Sequence, residues 1–165
     1  MIKASVETTP IGPLALLTRD GVLVAAGFTA DPEEMFARLS PSLRSEGLER
    51  VADLGDISHK VARYFGGELE AIDDIPVEQP GSSTRKALHK ALREVSAGTT
   101  VSYGELAERA GLPRTAARAA GSACAQNLIA PFVPCHRVLP TTGGFGGYYY
   151  GTHVKEWLLQ HEGVR

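Results

Sequence analysis

The sequence predicts an α+β protein: a small sheet with helices, followed by a mainly helical region that contains a helix-turn-helix. Three observations predict it. Short apolar runs separated by turn signals fill the first thirty residues. Gln79-Pro80-Gly81-Ser82-Ser83 has the composition of a linker, and beyond it the apolar spacing becomes helical. Two short helical patterns then flank Gly111-Leu112-Pro113. A chain of 165 residues accommodates one sizeable domain or two small ones, and these signals divide it into residues 1–79 and 83–165.

The elements follow in order. Ile2–Thr8 alternates weakly as a strand, and Pro10-Ile11-Gly12-Pro13 is a turn. Leu14–Thr18 and Val22–Phe28 are apolar strands joined by Arg19-Asp20-Gly21, a hairpin signal. Asp31-Pro32-Glu33-Glu34 starts a helix: an N-cap, a proline in the first turn, and acids at the positive dipole end. Met35 and Leu39, four residues apart, share its inner face. A helix over Asp56–Phe65 stops at Gly66-Gly67, and Ile75-Pro76-Val77 reads as a short edge strand.

Past the linker, Ser82 or Ser83 caps a helix reaching Val95, with Leu88, Leu92 and Val95 on one face. Tyr103–Ala110 and Arg114–Ala125 are the two helices of the helix-turn-helix pattern, which a plain helical hairpin would share. The second is almost all small residues, with Arg118 its one long side chain after the start. Such a helix suits tight core packing, or close approach to a nucleic-acid groove with Arg118 as a probe. Thr141–Thr152 is a glycine-rich loop carrying three tyrosines, which either cap a core or stack on a base. A helix over His153–Glu162 completes the chain, with Val154, Trp157, Leu158 and His161 on one face.

Composition narrows the function classes. With 43% hydrophobic and 22% charged residues the chain is not a disordered one. No apolar run approaches the roughly 18 residues of a membrane span, and the start lacks the apolar core of a secretory signal. The expectation is a soluble, cytoplasmic protein that does not meet a membrane. Its two cysteines, Cys124 and Cys135, form no C-x-x-C and no zinc-ligand spacing. Net charge is −2, but residues 1–80 carry −7 and residues 81–165 carry +5. That asymmetry suits either a polyanion bound by the second half or ordinary solvated surface.

The chemistry concentrates in Val133-Pro134-Cys135-His136-Arg137-Val138. A cysteine attacks only as thiolate, and a free pKa of about 8.5 leaves little thiolate at neutral pH. His136 is a candidate base, and Glu162 a candidate carboxylate to orient it. A Cys-His pair alone is more often structural than catalytic.

VPCHRV, with Asn127 upstream and YYYGTHVKEWLLQHEG downstream, resembles the active-site region of the O6-alkylguanine-DNA alkyltransferases. VSYGELAERAGLPRTAARAAGSA is similar to that family's DNA-binding helix-turn-helix. The likeness spans roughly residues 83–165 without gaps. The N-terminal half resembles the family's ribonuclease-H-like domain in kind only. The resemblance implies that Cys135 accepts the alkyl group, that His136 takes the thiol proton through a water, and that Glu162 orients His136. It implies that Asn127 braces the active-site turn and that Tyr103 helps to extrude the nucleotide and assists the departing guanine. Arg118 would fill the vacated place in the duplex, and Ala116, Ala117, Ala119 and Gly121 would lie against the minor groove. Tyr148 would line the base pocket with Tyr149 beside it, and Val138 would read the guanine edge through its backbone. The implied protein is a single-use DNA repair enzyme acting on double-stranded DNA that carries O6-alkylguanine. It needs no cofactor and no metal, and a monomer is the default expectation.

Three positions depart from the family pattern: Leu128 where proline is usual, Tyr149 where a serine is common, and Tyr150 where a glycine is common. The two extra rings predict a narrower pocket. Three rival readings stand beside this one. A non-catalytic lesion sensor would lack the cysteine that this chain keeps. A sequence-reading regulator would need long polar side chains on the recognition helix. A cysteine hydrolase usually carries its base on a distant segment.

Overall fold

The computed structural model describes residues 1–164, and the chain forms two compact units. Unit one comprises Met1–Gln79 together with Leu128–Phe132; unit two comprises Pro80–Asn127 and Val133–Arg165.

Unit one is built on a four-stranded sheet in the order β3-β2-β1-β4, with β1 Ile2–Thr9, β2 Gly12–Arg19, β3 Val22–Gly27 and β4 Leu48–Arg50. The first three strands are antiparallel neighbours, whereas β4 lies parallel to β1 with Ile2 opposite Leu48. Asp20 and Gly21 link β2 to β3 with φ of 51° and 81°. Both central residues are left-handed, as a tight hairpin turn requires, and the Asp-Gly pair supplies that at low steric cost. The outer edge of β3 is covered: Leu23 bridges Val77 and Ala26 bridges Ile129. The expected edge strand at Ile75–Val77 therefore reduces to a single bridge at Val77.

Helix α1 (Pro32–Phe36) begins where the sequence placed it, with Asp31 accepting from the Glu33 N–H at 3.1 Å. Met35 and Leu39 join Ile2, Ala4, Ala15, Leu17, Val24 and Ala25 in one apolar cluster. Each such burial removes roughly 1.5–3 kcal/mol of apolar exposure for a large side chain. A short helix α2 (Pro41–Arg44) and strand β4 escaped the sequence reading. Neither carries a full turn or strand of patterned residues, so periodicity has nothing to detect. Helix α3 spans Asp56–Phe65 as expected and buries Ile57, Val61 and Tyr64.

Unit two holds α4 (Ser83–Arg93), α5 (Tyr103–Arg109), α6 (Ala117–Ala125) and α7 (Thr152–His161). Ser82 caps α4, and Ser102 with Glu105 forms a reciprocal capping box on α5. The second helix of the helix-turn-helix starts later than its sequence suggests. Arg114–Ala116 is a 3-10 turn, and α-helix begins only at Ala117. The reason is local: Pro113 at φ −64° and ψ 151° feeds a tight turn in which Ala116 bonds back to the Pro113 carbonyl. The inner face of α7 also differs from expectation. It buries Val154, Lys155, Leu158 and Leu159, while Trp157 and His161 stack on each other at 4.8 Å.

His89 on α4 ties that helix to α6. Its Nε2–H donates to the Ala123 carbonyl at 2.9 Å, and its buried Nδ1 has no partner among the described residues. Burial lowers its pKa, the bond to Ala123 opposes that, and Arg85 adds to the lowering. The unfolded chain, titrating near 6.5, therefore takes up this proton first, and stability falls as pH drops below about 6.5. His89→Gln keeps a donor but cannot titrate. Its melting temperature should decline less than that of the parent chain between pH 7.5 and 5.5, and equal declines would exclude this origin.

Candidate active site

The candidate nucleophile, Cys135, sits on a turn that the sequence dictates. Pro134, at φ −85° and ψ 65°, forms an inverse γ-turn in which the Cys135 N–H reaches the Val133 carbonyl at 2.8 Å. Cys135–Arg137 then makes one 3-10 turn, closed by Arg137 N–H to the Pro134 carbonyl at 2.9 Å. Val138 leaves it in extended conformation, bridged to Val101.

Asn127 holds the same turn from the side. Its Nδ2 donates to the Val133 carbonyl at 2.7 Å and to Cys135 Sγ at 3.5 Å. The leucine that follows it does not disturb this brace. The Leu128 N–H, which a proline would lack, donates to Gln79 Oε1 at 2.9 Å.

His136 is fully buried and its Nε2–H donates to Glu162 Oε2 at 2.9 Å. Arg137 clamps the same carboxylate with two bonds of 2.9 Å, and its Nη1 reaches the Val95 carbonyl. Burial alone would raise the Glu162 pKa, but His136 and Arg137 outweigh it and hold the carboxyl well below the usual range. His136 is pushed the other way. Burial lowers its pKa despite the neighbouring carboxylate, so the ring is neutral at pH 7. With Nε2 committed to Glu162, the lone pair is on Nδ1, which is buried and has no protein partner among the described residues. That nitrogen is a base held in one tautomer.

Cys135 retains partial exposure, yet burial of its sulfur pushes the thiol up; the Asn127 bond and the nearby Lys155 act in the opposite direction. The resting form is therefore the thiol. Lys155 is 1% exposed and donates to the carbonyls of Val138 at 2.8 Å and Gly147 at 3.4 Å. Burial lowers its pKa, while both thiols favour its cationic form. In its charged form Lys155 favours a thiolate at Cys135.

Tyr103 is the first residue of α5 and is half-buried. Burial raises its pKa, and both cysteines add to that. The hydroxyl keeps its proton at neutral pH and remains a donor. Gly121 lies against the Tyr103 ring, where an added Cβ would meet it at 3.9 Å. Arg118 is exposed on α6, with Ala116, Ala117 and Ala119 half-buried beside it.

Tyr148 is half-buried, and Tyr150 packs edge-on against both Tyr148 and Tyr149, at 5.8 Å and 4.9 Å. Tyr149 itself is 70% exposed. Val138 is fully buried, which leaves its backbone as the part able to meet a ligand.

The site thus joins Cys135 to Asn127 and His136 to Glu162, while Lys155 acts on the Cys135 thiol electrostatically and Cys135 acts on Tyr103. Two contributors were not singled out from sequence: Arg137 and Lys155. Both stand inside the motifs quoted above, but a basic residue on a helix ordinarily signals a solvated face, so nothing marked either as buried. Among the described residues no group of three metal-ligating side chains occurs.

Comparison with known proteins places both halves in one lineage. Residues 2–79 match the family model of the 6-O-methylguanine DNA methyltransferase ribonuclease-like domain, and residues 83–164 match that of its DNA binding domain. The methylated-DNA–protein-cysteine methyltransferase of Shigella flexneri is 40% identical over 158 residues, covering 94% of this chain and 92% of that protein. The crystal structure of the Mycobacterium tuberculosis O6-methylguanine methyltransferase superposes with a TM-score of 0.80 at 32% identity, covering 98% of this chain and 93% of the other. A second structure, Mycobacterium tuberculosis OGT in complex with DNA, gives a TM-score of 0.80 at 31% identity over 97% of this chain and 92% of the other.

Proposed function

Because this chain belongs to the 6-O-methylguanine DNA methyltransferase family, we propose that it repairs DNA by moving the alkyl group of O6-alkylguanine, chiefly O6-methylguanine, irreversibly onto Cys135. The observation that carries the residue assignment is the pairing of a braced, partly exposed thiol with a neutral, buried His136 locked to Glu162.

The target carbon lies inside a duplex, so the nucleotide must leave the stack, at a cost of a few kcal/mol. A weak O6-alkyl base pair lowers that cost. Arg118, exposed on a helix of small residues, occupies the gap, and that helix lies in the minor groove. The +5 charge of residues 81–165 favours the approach to DNA.

His136 Nδ1 takes the Cys135 proton through one bridging water, and Glu162 stabilises the resulting imidazolium. Lys155 supports the thiolate. Sulfur attacks the alkyl carbon in line, the C–O6 bond breaks, and its electrons pass into the guanine. The Tyr103 hydroxyl, held protonated, donates to the departing base. The product is a thioether, which water does not cleave under these conditions. Each molecule therefore acts once, as a monomer and without a cofactor, in the cytoplasm with the DNA it repairs.

The direct test is intact mass after mixing with a duplex that contains one O6-methylguanine. The expected result is a gain of one methyl group, mapped to Cys135 and saturating at one per protein. Tight lesion binding without a mass gain would instead identify a sensor.

The tyrosine-rich loop sets the lesion size. Tyr149 points into solvent, so the narrowing falls to Tyr150, wedged between its two neighbours. O6-benzylguanine should react on the order of tenfold or more slower than O6-methylguanine in DNA, a cost of about 1.4 kcal/mol. Tyr150→Gly should narrow that gap. Equal rates for the two lesions in the parent chain would remove the argument.

A further inference from the structure

Arg114 takes no part in alkyl transfer. It opens the 3-10 turn Arg114–Ala116, four residues before Arg118, and its side chain is laid back over α5. Gly104, the second residue of α5, makes the room: a Cβ there would stand 2.7 Å from Arg114 Cγ. Glycine is a poor helix former, but any other residue here would push the arginine stem away. The guanidinium then reaches Glu108, one turn further along α5, with Nη2 donating to Oε1 at 2.7 Å. Glu105, on the same helix, is already engaged by the Ser102 N–H at 2.8 Å. The Arg114–Glu108 pair stays open to water, its side chains 62% and 50% exposed.

We propose that Arg114 is a DNA backbone contact and that Glu108 holds the place of a phosphate in the free protein. As α6 meets the duplex, the guanidinium leaves the carboxylate for the phosphate. This contact rests on the repair reading above, in which α6 lies in the minor groove with Arg118 in the gap. Four residues that span a 3-10 turn and the first α-helical step advance about 6–8 Å. A minor groove is roughly 6 Å wide, so a residue that far from one inside it stands over the flanking phosphates.

The chemistry favours the exchange. An exposed ion pair is weak, because water screens it and both side chains lose freedom in forming it. A phosphate offers the same planar fork two oxygens, and binding it releases condensed counterions. Glu108 thus aims the guanidinium without retaining it. With the stem seated on Gly104, the exchange is a movement of the head alone. A merely structural clasp would behave differently, since removing either partner would then weaken DNA binding. In the exchange the two partners have opposite signs: Arg114 supports binding and Glu108 competes with it.

The full chain is titrated with two fluorescent duplexes, one undamaged and one carrying O6-methylguanine, from about 50 to 200 mM salt. Melting temperatures check that each variant folds. Arg114→Ala should weaken binding to both duplexes alike, by about threefold to tenfold, and make the slope of log affinity against log salt shallower by about 0.9. Arg114→Met, which keeps the stem over Gly104, should do the same, whereas Arg114→Lys should retain most of the slope. Glu108→Gln should tighten binding by about twofold to fivefold, the strength of the pair it breaks. Combined with Arg114→Ala, it should lose most of that gain. With a parent chain that binds DNA, an unchanged slope in Arg114→Ala or Arg114→Met, weaker binding by Glu108→Gln, or a gain that persists without Arg114 would each overturn the proposal alone. A parent chain that binds neither duplex would overturn the repair reading and this contact with it.

Discussion

Cys135→Ala is expected to abolish alkyl acceptance completely while leaving the fold and lesion binding in place. The substitution removes only Sγ, which accepts a 3.5 Å contact from Asn127. Asn127 keeps its bond to the Val133 carbonyl, and the turn keeps its own backbone bonds. The melting temperature should therefore shift by no more than about 1 kcal/mol of stability implies. Intact mass with an O6-methylguanine duplex should show no gain at any time, while gel-shift affinity for that duplex stays within about threefold of the parent value, or under 1 kcal/mol. Cys135→Ser should be as inactive, because a hydroxyl gives almost no alkoxide beside a neutral imidazole. A methyl gain in the alanine variant, at any residue, would move the acceptor away from Cys135.

Glu162→Gln is expected to damage both stability and rate. The carboxylate is 3% exposed and answers two groups at once: the buried Arg137 guanidinium and the His136 ring. Glutamine has the same shape, so no cavity is left, but it leaves a buried cation uncompensated. Breaking such a pair costs about 3–5 kcal/mol, or roughly 6–20 °C in melting temperature for a chain of this size. Among the folded molecules, single-turnover transfer should fall on the order of a hundredfold, since His136 loses the partner that fixes its tautomer and shares its charge. The pH dependence provides a separate signature. Glu162 is held below its unfolded pKa, so its contribution is present above about pH 4.5 and is lost as pH falls through the lowered folded value. The parent chain should lose stability in that acid range, and Glu162→Gln should lose less. An unchanged melting temperature at pH 7 would show that the network is not holding the site together.

Most of the local structure was legible in the sequence because local rules govern it. Asp20-Gly21 has no better use than a left-handed hairpin turn, and Asp31-Pro32 and Ser102 with Glu105 are helix starts by hydrogen-bond chemistry alone. The motif around Cys135 was legible as well, since it is contiguous and its residue types leave few chemical alternatives. Where the reading erred, the signal was too short or too weak. The helix α2 and strand β4 are brief, and the 3-10 turn at Arg114–Ala116 imitates the start of an α-helix.

The sequence by itself determined the hairpin and caps, the helix-turn-helix and the candidate nucleophile with its neighbouring histidine. Only the tertiary structure decided what surrounds that cysteine. It buried Arg137 and Lys155, both ordinarily surface residues, and gave the first to Glu162 and the second to the Val138 carbonyl. It turned Tyr149 outward. The physical reason is that periodicity and capping act over a few residues along the chain. Burial, ion pairing and pKa depend instead on which distant segments exclude water from one another: here residue 95, the 127–138 turn, and 155 and 162 of the last helix and its cap.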